Sequence, residues 1–157
     1  MVLLVHHGDA VPPDIDSQRP LSPRGRAGAE RLAAEAATRG FKPIAVWHSG
    51  KLRARQTAEP FWRVCNPLAE FAAIRGLQPT DPAPAVAALV AGETRDLVLA
   101  GHMPNLERVL RLMVAGDEAS PILFPPHGVV ALEPVDVVHW REAWRLDEPR
   151  HEQERGR

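Results

Sequence analysis

The sequence predicts an α/β layered fold in one domain over residues 1–148, with a charged tail over 149–157, and three observations predict it. Short runs without a polar residue, such as Val2–Val5, suit strands covered on both faces. Stretches with apolar residues at helical spacing lie between such runs, so strand and helix alternate for most of the length. A chain of 157 residues, 45% of them hydrophobic, suits a single domain with a real core, and no linker or internal repeat divides it.

Val2–Val5 is the first strand. Residues 11–20, VPPDIDSQRP, are rich in proline and aspartate and read as loop. Ser22 then stands as an N-cap with Pro23 at the first helical position, and Gly40 closes the helix at Arg39. Ala29, Leu32, Ala33 and Ala36 give that helix a narrow apolar stripe. Ile44–Trp47 is the second strand. The stretch HSGKLRARQTAEPFWRV after it has helical composition, with Pro60 expected to kink or restart the helix. Residues 66–84 carry no clear pattern, and QPTDPAP within them is loop. A helix follows over Ala83–Ala91, then a strand over Asp96–Gly101. Leu106, Val109, Leu110, Met113 and Val114 fall at i, i+3, i+4, i+7 and i+8, the mark of an amphipathic helix. GVVALEP and VVHWREAWRL read as two strands joined by a turn at Pro134–Asp136. Trp140 and Trp144, four apart, are expected on one face of the last strand and in the core.

The formal charge of -1 and a pI near 6.7 give no basic footprint for nucleic acid. The single cysteine, Cys65, cannot form a disulfide within the chain and is expected to be a small buried apolar group. No basic leader precedes the first strand, and no stretch approaches the roughly 18 apolar residues of a membrane span. The expectation is a cytoplasmic monomer without membrane or nucleic-acid partners.

In α/β sheets the ligand crevice lies outside the carboxyl ends of the strands. Three polar clusters fall at such ends: HHGD after the first strand, HSGKLRARQT after the second, GHMPN after Asp96–Ala100. They deliver His6, His7, His48, Arg53 and His102 to one sheet edge. Two chemistries use such a set. In the first, His7 attacks a phosphorus atom to give a phosphohistidine intermediate. Its attacking nitrogen must be neutral, so the other ring nitrogen should donate to a fixed acceptor. Arg53 and His102 then hold the phosphoryl oxygens, a task that suits the always-charged planar fork of arginine. In the second, His6, His7, His48 and His102 bind a transition metal. That reading is weaker: adjacent histidines on an extended strand point to opposite faces, no carboxylate or cysteine completes a ligand set, and a nearby arginine repels a cation.

At these residues the chain resembles a family. LVHHGDA is similar to the RHG signature that opens the histidine phosphatase superfamily, also called phosphoglycerate mutase-like. RPLSPRG (19–25) resembles the segment that begins the family's first helix, HSGKLRARQTAE its arginine block, and LAGHMPNL the block of its second histidine. The short length and the HGDA and GHMP forms resemble the SixA-like phosphohistidine phosphatases more than the larger mutases. The resemblance implies a three-layer α/β/α sandwich with a mostly parallel central sheet, and neither metal nor organic cofactor. It implies His7 as nucleophile, Arg53 as a phosphate-pocket arginine, and His102 as the pocket's second histidine. His6, Gly8 and Arg19, the last at the pocket entrance, complete the phosphate-binding set. The substrate implied is a phosphorylated protein, with a small phosphate ester as the alternative.

Two residues depart from the family pattern. His6 stands where the family has arginine. A histidine reaches less far, offers one donor to a ligand and is mostly neutral near pH 7, its ordinary pKa being about 6.5. A bound phosphate dianion favours its protonated form, so a weaker pocket with greater sensitivity to rising pH is expected. Gly50 replaces a proline after Ser49, with little consequence expected. No acid stands out as a proton donor to the leaving group, Glu70, Asp81 and Glu93 being the nearest candidates in sequence. A phosphohistidine substrate eases that gap, because its imidazole leaves more readily than an alkoxide. His127 in PPHGVV reads as a turn residue, with the pocket rim as the alternative. His48 reads as structural, Asp9 and Asn105 as braces of their loops, and His139 and His151 carry no signal. Three readings stay open: a phosphohistidine phosphatase, a phosphatase of small esters, and a non-catalytic phosphate-binding module weakened by His6.

Overall fold

A computed structural model describes residues 1–148. The expected tail and His151 lie outside the described residues. The elements run β1 (Val2–His6), α1 (Pro23–Thr38), β2 (Ala45–His48), α2 (Leu52–Cys65), β3 (Glu70–Ala73), α3 (Ala83–Val90), β4 (Leu97–Gly101), α4 (Asn105–Ala115), β5 (Val129–Pro134) and β6 (Trp140–Leu146). One six-stranded sheet has the order β3-β2-β4-β1-β5-β6. The pairs β3–β2, β2–β4 and β4–β1 are parallel, while β5 runs antiparallel to β1 and β6 antiparallel to β5.

Alternation along β1 separates two cores. Leu3 and Val5 pack with Leu32 and Ala33 of α1 and with Ala58 and Phe61 of α2. Val2 and Leu4 pack on the opposite face with Val86 of α3 and Leu106 and Leu110 of α4. The result is the three-layer α/β/α sandwich with a mostly parallel sheet. Ser22 caps α1 by accepting the Gly25 N–H at 3.1 Å, with Pro23 in the first turn. Gly116, at φ 69°, closes α4 in the left-handed conformation that glycine adopts without strain.

Three expectations need correction. β3 lies inside the stretch without pattern; it is a four-residue edge strand of half-buried and exposed residues, which leaves no alternation to read. α2 passes through Pro60 without a restart, since Ala58, Pro60 and Phe61 are buried against the sheet and packing holds the helix across the missing N–H. Trp140 and Trp144 lie on opposite faces. Ala131 pairs with Trp144 but Leu132 pairs with Glu142, so one extra residue bulges β6 and reverses its inside–outside phase between the tryptophans. Trp140 joins the α3/α4 core and Trp144 borders the α1/α2 core. Cys65 is half-buried, and burial raises its thiol to about 11, so it stays protonated. Among the described residues, no helix is long and apolar enough to cross a membrane.

Candidate active site at one edge of the sheet

The carboxyl ends of β1, β2 and β4 open at one edge of the sheet, and so does the start of β5, because β5 runs the other way. His7 follows β1 and donates its N–H to the Gly101 carbonyl at 3.1 Å. His6 donates its own N–H to the Gly128 carbonyl at 3.0 Å. The rings of His7 and His102 lie 5.0 Å apart between centroids, those of His6 and His7 4.6 Å apart. His6, His7 and His102, from two strand ends, therefore share one site.

The His7 ring has a fixed tautomer. Its Nδ1 lies 2.7 Å from the Gly8 carbonyl, which can only accept, so Nδ1 carries the proton and Nε2 keeps its lone pair. Burial, with the charges of Arg53, His127 and Arg19, outweighs that bond and lowers His7 to about 4. The ring is neutral in ordinary buffers. Gly8 supports it from two sides. Its N–H donates to Thr57 Oγ1 at 3.0 Å, and that hydroxyl donates to the Arg53 carbonyl at 2.7 Å. The Gly8 amide is thus committed within the protein, and the residue's contribution to the site is its carbonyl. A side chain on Gly8 would meet the Gly25 carbonyl at 2.9 Å, so α1 can pack this close only on glycine. Asp9 braces the same loop by accepting from Ser22 Oγ at 2.6 Å.

Around His7 stand donors without partners. Ser49 Oγ accepts the Lys51 N–H at 3.3 Å and lies 2.7 Å from His102 Nε2, the one acceptor within reach of its hydroxyl proton among the described residues, and we assign that proton to the bond with Nε2. The His102 proton then sits on Nδ1, which is buried and bonded to nothing. Burial first, then His7 and Arg53, lowers His102 to about 3. Arg53 Nε is likewise buried without a partner. Arg53 forms no ion pair among the described residues, and its nearest charged influence is Arg19, a repulsion. Arg19 sits on the 11–20 loop, which the Ala10–Leu21 bridge pins at its ends, and its Nε donates to the Val11 carbonyl at 3.2 Å. Buried donors and converging cations without an acid are an arrangement that an anion completes.

His6 is neutral before an anion binds. Its Nδ1 accepts the His127 backbone N–H at 2.7 Å, so the neutral ring keeps its proton on Nε2. Burial first, then the neighbouring rings of His7, His127 and His102 and the Arg53 guanidinium, lowers His6 to about 2. In the anion-free site it therefore offers one neutral N–H. A bound dianion favours its protonated form, and the expected sensitivity to rising pH belongs to that bound state. His6→Arg adds a charged donor but strands the His127 N–H. Tungstate binding tightens on the order of tenfold for one added charged hydrogen bond, Tm falls, and the decline of binding above neutral pH flattens, because arginine stays charged. Calorimetric titration and thermal melts check this.

His127 is the residue that sequence reasoning put in the second rank. It is a turn residue, at φ 53°, and also part of the site. Its ring stacks on His6 at 4.7 Å with 7° between planes, and its Nδ1 lies 2.6 Å from the His7 carbonyl. One ring nitrogen from each of His6, His7 and His127 lies within 4.8 Å of the others. Adjacent His6 and His7 thus do converge, contrary to the expectation for an extended strand, because β1 ends at His6. The donor chemistry still disfavours a metal: His6 presents N–H on Nε2, and releasing that lone pair would break its bond from His127. His48 keeps to a structural part, accepting the Gly50 N–H at 3.0 Å beside Phe71. Gly50 itself sits at φ 93°, a conformation closed to proline. Asn105 braces the neighbouring loop through the Gly76 and Asp81 carbonyls.

Comparison with known proteins gives a consistent result. The profile of the histidine phosphatase superfamily, branch 1, matches residues 2–78, a span that holds His6, His7, Arg19 and Arg53 but ends before His102 and His127. The solved structure of the protein histidine phosphatase SixA complexed with tungstate has a TM-score of 0.82 at 21% identity, covering 94% of this chain and 96% of that one. A protein from Agrobacterium tumefaciens put forward as phosphohistidine phosphatase SixA has a TM-score of 0.74 at 29% identity, covering 92% and 96%. A mycobacterial glucosyl-3-phosphoglycerate phosphatase has a TM-score of 0.69 at 15% identity, covering 95% and 98%. No curated protein sequence matches.

Proposed function

Because the chain belongs to the histidine phosphatase superfamily, we propose that it dephosphorylates phosphohistidine on a partner protein through a phosphohistidine intermediate at His7. The observation that carries this reading is the His7 ring, its Nδ1–H held by the Gly8 carbonyl and its Nε2 left neutral beside the unpartnered Arg53 Nε and His102 Nδ1. His7 Nε2 attacks phosphorus, the bond to the leaving nitrogen or oxygen breaks, and water then displaces phosphate from His7. Arg53, His102 Nδ1–H and His6 Nε2–H hold the phosphoryl oxygens, with Arg19 at the entrance. Donors fixed before the reaction stabilise developing charge without reorganisation.

A protein-borne substrate is favoured by what stands beside the site. Residues 66–84 are taken up by β3 and by a tight turn in which Gln78 donates to Asp81 Oδ2 at 2.9 Å. They line an open cleft of about 570 Å³ that runs past Ser49, whose hydroxyl meets His102, and past Arg75 and Gln78. The SixA relatives, whose lengths this chain spans almost fully, point the same way. A phosphatase of small esters is the second reading, supported by the fold shared with the glucosyl-3-phosphoglycerate phosphatase.

The test is steady-state turnover of a phosphohistidine-bearing protein against p-nitrophenyl phosphate and sugar phosphates. The reading expects kcat/KM at least about tenfold higher on the protein, a difference of about 1.4 kcal/mol in transition-state binding. A preference of that size for a small ester moves the assignment to the second reading. Phosphate binding without turnover on any substrate makes the chain a binding module.

A further inference from the structure

We propose that His127 is the proton-transfer residue of this site, donating to the leaving group in the first half-reaction and accepting a proton from water in the second. The proposal rests on the phosphatase reading and goes beyond it, since the phosphate cradle described above contains no group that moves a proton.

The acids that the sequence offered for this task are spent elsewhere. Glu70 opens β3 at the amino end of that strand, away from the carboxyl edge where His7 stands. Glu93 is clasped by Arg95 at 2.9 Å. Asp81 accepts the Gln78 N–H in its own turn. The charged groups that act most on His7 are Arg53, His127 and Arg19, with no carboxylate among them.

Of the four histidines gathered here, three are committed. His7 Nε2 is the nucleophile. His102 is clamped by Ser49 and fully buried, and His6 is closed on its Nδ1 side by the His127 N–H. His127 differs in two ways. The His7 carbonyl fixes its Nδ1 as a donor, so Nε2 alone is free to gain or lose a proton without disturbing that bond. The ring is also only half-buried, at the rim of the site. It lies 5.8 Å from the His7 ring and stacks flat on His6, an orientation held from two sides. The titratable groups beside it are His6, the last residue of β1, and His7, which follows that strand.

The protons balance over the cycle. In the first step the His7 Nε2–P bond forms, the bond from phosphorus to the leaving atom breaks, and the His127 Nε2 proton goes to that atom. In the second step water oxygen bonds to phosphorus, its proton goes to His127 Nε2, and the P–N electron pair returns to His7. Orthophosphate leaves and both histidines are restored.

His127→Asn is the test. Asparagine tolerates the left-handed backbone at this position and keeps a donor for the His7 carbonyl while removing Nε2. The readout is the dependence of kcat/KM on leaving-group basicity, from 2,4-dinitrophenyl phosphate to phenyl phosphate, with rapid-quench measurement of phosphorylated His7. The dinitrophenyl ester, which needs no proton, keeps a phosphorylation rate within about threefold of wild type. Phenyl phosphate loses on the order of 10²-fold or more, the usual worth of general acid–base catalysis. Phospho-His7 accumulates in a burst, and free imidazole added to His127→Ala speeds its breakdown. An equal loss on every ester, or no loss on any, overturns the assignment and leaves the phosphatase reading standing. Wild-type protein that turns over none of the esters and forms no phosphoenzyme overturns both.

Discussion

His7→Ala lowers kcat by about 10⁴-fold or more, the scale seen when a covalent nucleophile is removed, and eliminates the acid-labile, base-stable phosphoenzyme. The loss is expected to be this large because no neighbour can take over. His6 lies 4.6 Å away, but its Nδ1 lone pair receives the His127 N–H and its Nε2 carries hydrogen, so it has no free lone pair to attack with. His102 spends its lone pair on Ser49 Oγ. The His127 ring stands at the rim, 5.8 Å from that of His7. The fold itself tolerates the change, since the His7 backbone N–H still reaches Gly101. Tungstate binding in the variant persists through Arg53 and His102. Rapid quench followed by phosphoamino-acid analysis reads the intermediate directly. A variant that retains more than about a hundredth of wild-type turnover, with phosphate still trapped on protein, places the nucleophile on another histidine.

The parts of the site that were legible in the sequence are those that obey the parallel-sheet rule. His7, Arg53 and His102 follow strands that run the same way, so their place at one edge could be read from order and polarity alone. His127 obeys the inverse rule. It precedes β5, which is antiparallel to β1, and an antiparallel strand brings its beginning to the edge where the others end. Sequence pattern does not announce strand direction, and for that reason a turn position looked sufficient for His127. The same limit explains the tryptophans of β6, where one bulged residue reverses the phase that spacing assumes. The tautomer required of His7 follows from the need for a neutral attacking nitrogen, but that of His6 was beyond reach. That His6 accepts rather than donates through Nδ1 depends on a backbone N–H 121 residues away, and this contact leaves Nε2–H as the donor of the neutral ring.

Acid weakens the folded state through the same rings. Burial foremost lowers His6 to about 2, His102 to about 3 and His7 to about 4, whereas each returns to about 6.5 when the chain unfolds. Above pH 6.5 all three are neutral in both states, and their contribution to stability is fully present. As the pH falls below 6.5 the unfolded chain takes up protons that the folded site refuses, and stability drops until each ring reaches its own folded value. Each histidine contributes a slope of about 1.4 kcal/mol per pH unit, and the three together about 4 kcal/mol per unit between roughly pH 6 and pH 4. A domain of ordinary stability, about 5–15 kcal/mol, loses much of it over that interval. Glu93, whose hydrogen bonds to Arg95 lower it to about 2, begins to lose its share only below about pH 4.5, so the upper part of the window belongs to the histidines. Guanidinium unfolding at several pH values between about 7 and 5 reads the slope as protons taken up, about three per molecule from these rings, to which His48, also lowered by burial, adds. His6→Asn keeps an acceptor for the His127 N–H but does not titrate, and its slope is smaller by about one proton. Tungstate, by giving the buried donors an anion, raises the folded-state values and flattens the decline. A free energy of unfolding that stays constant across that range means the three rings are not held neutral, and the assignment of His7 Nε2 as a ready lone pair fails with it.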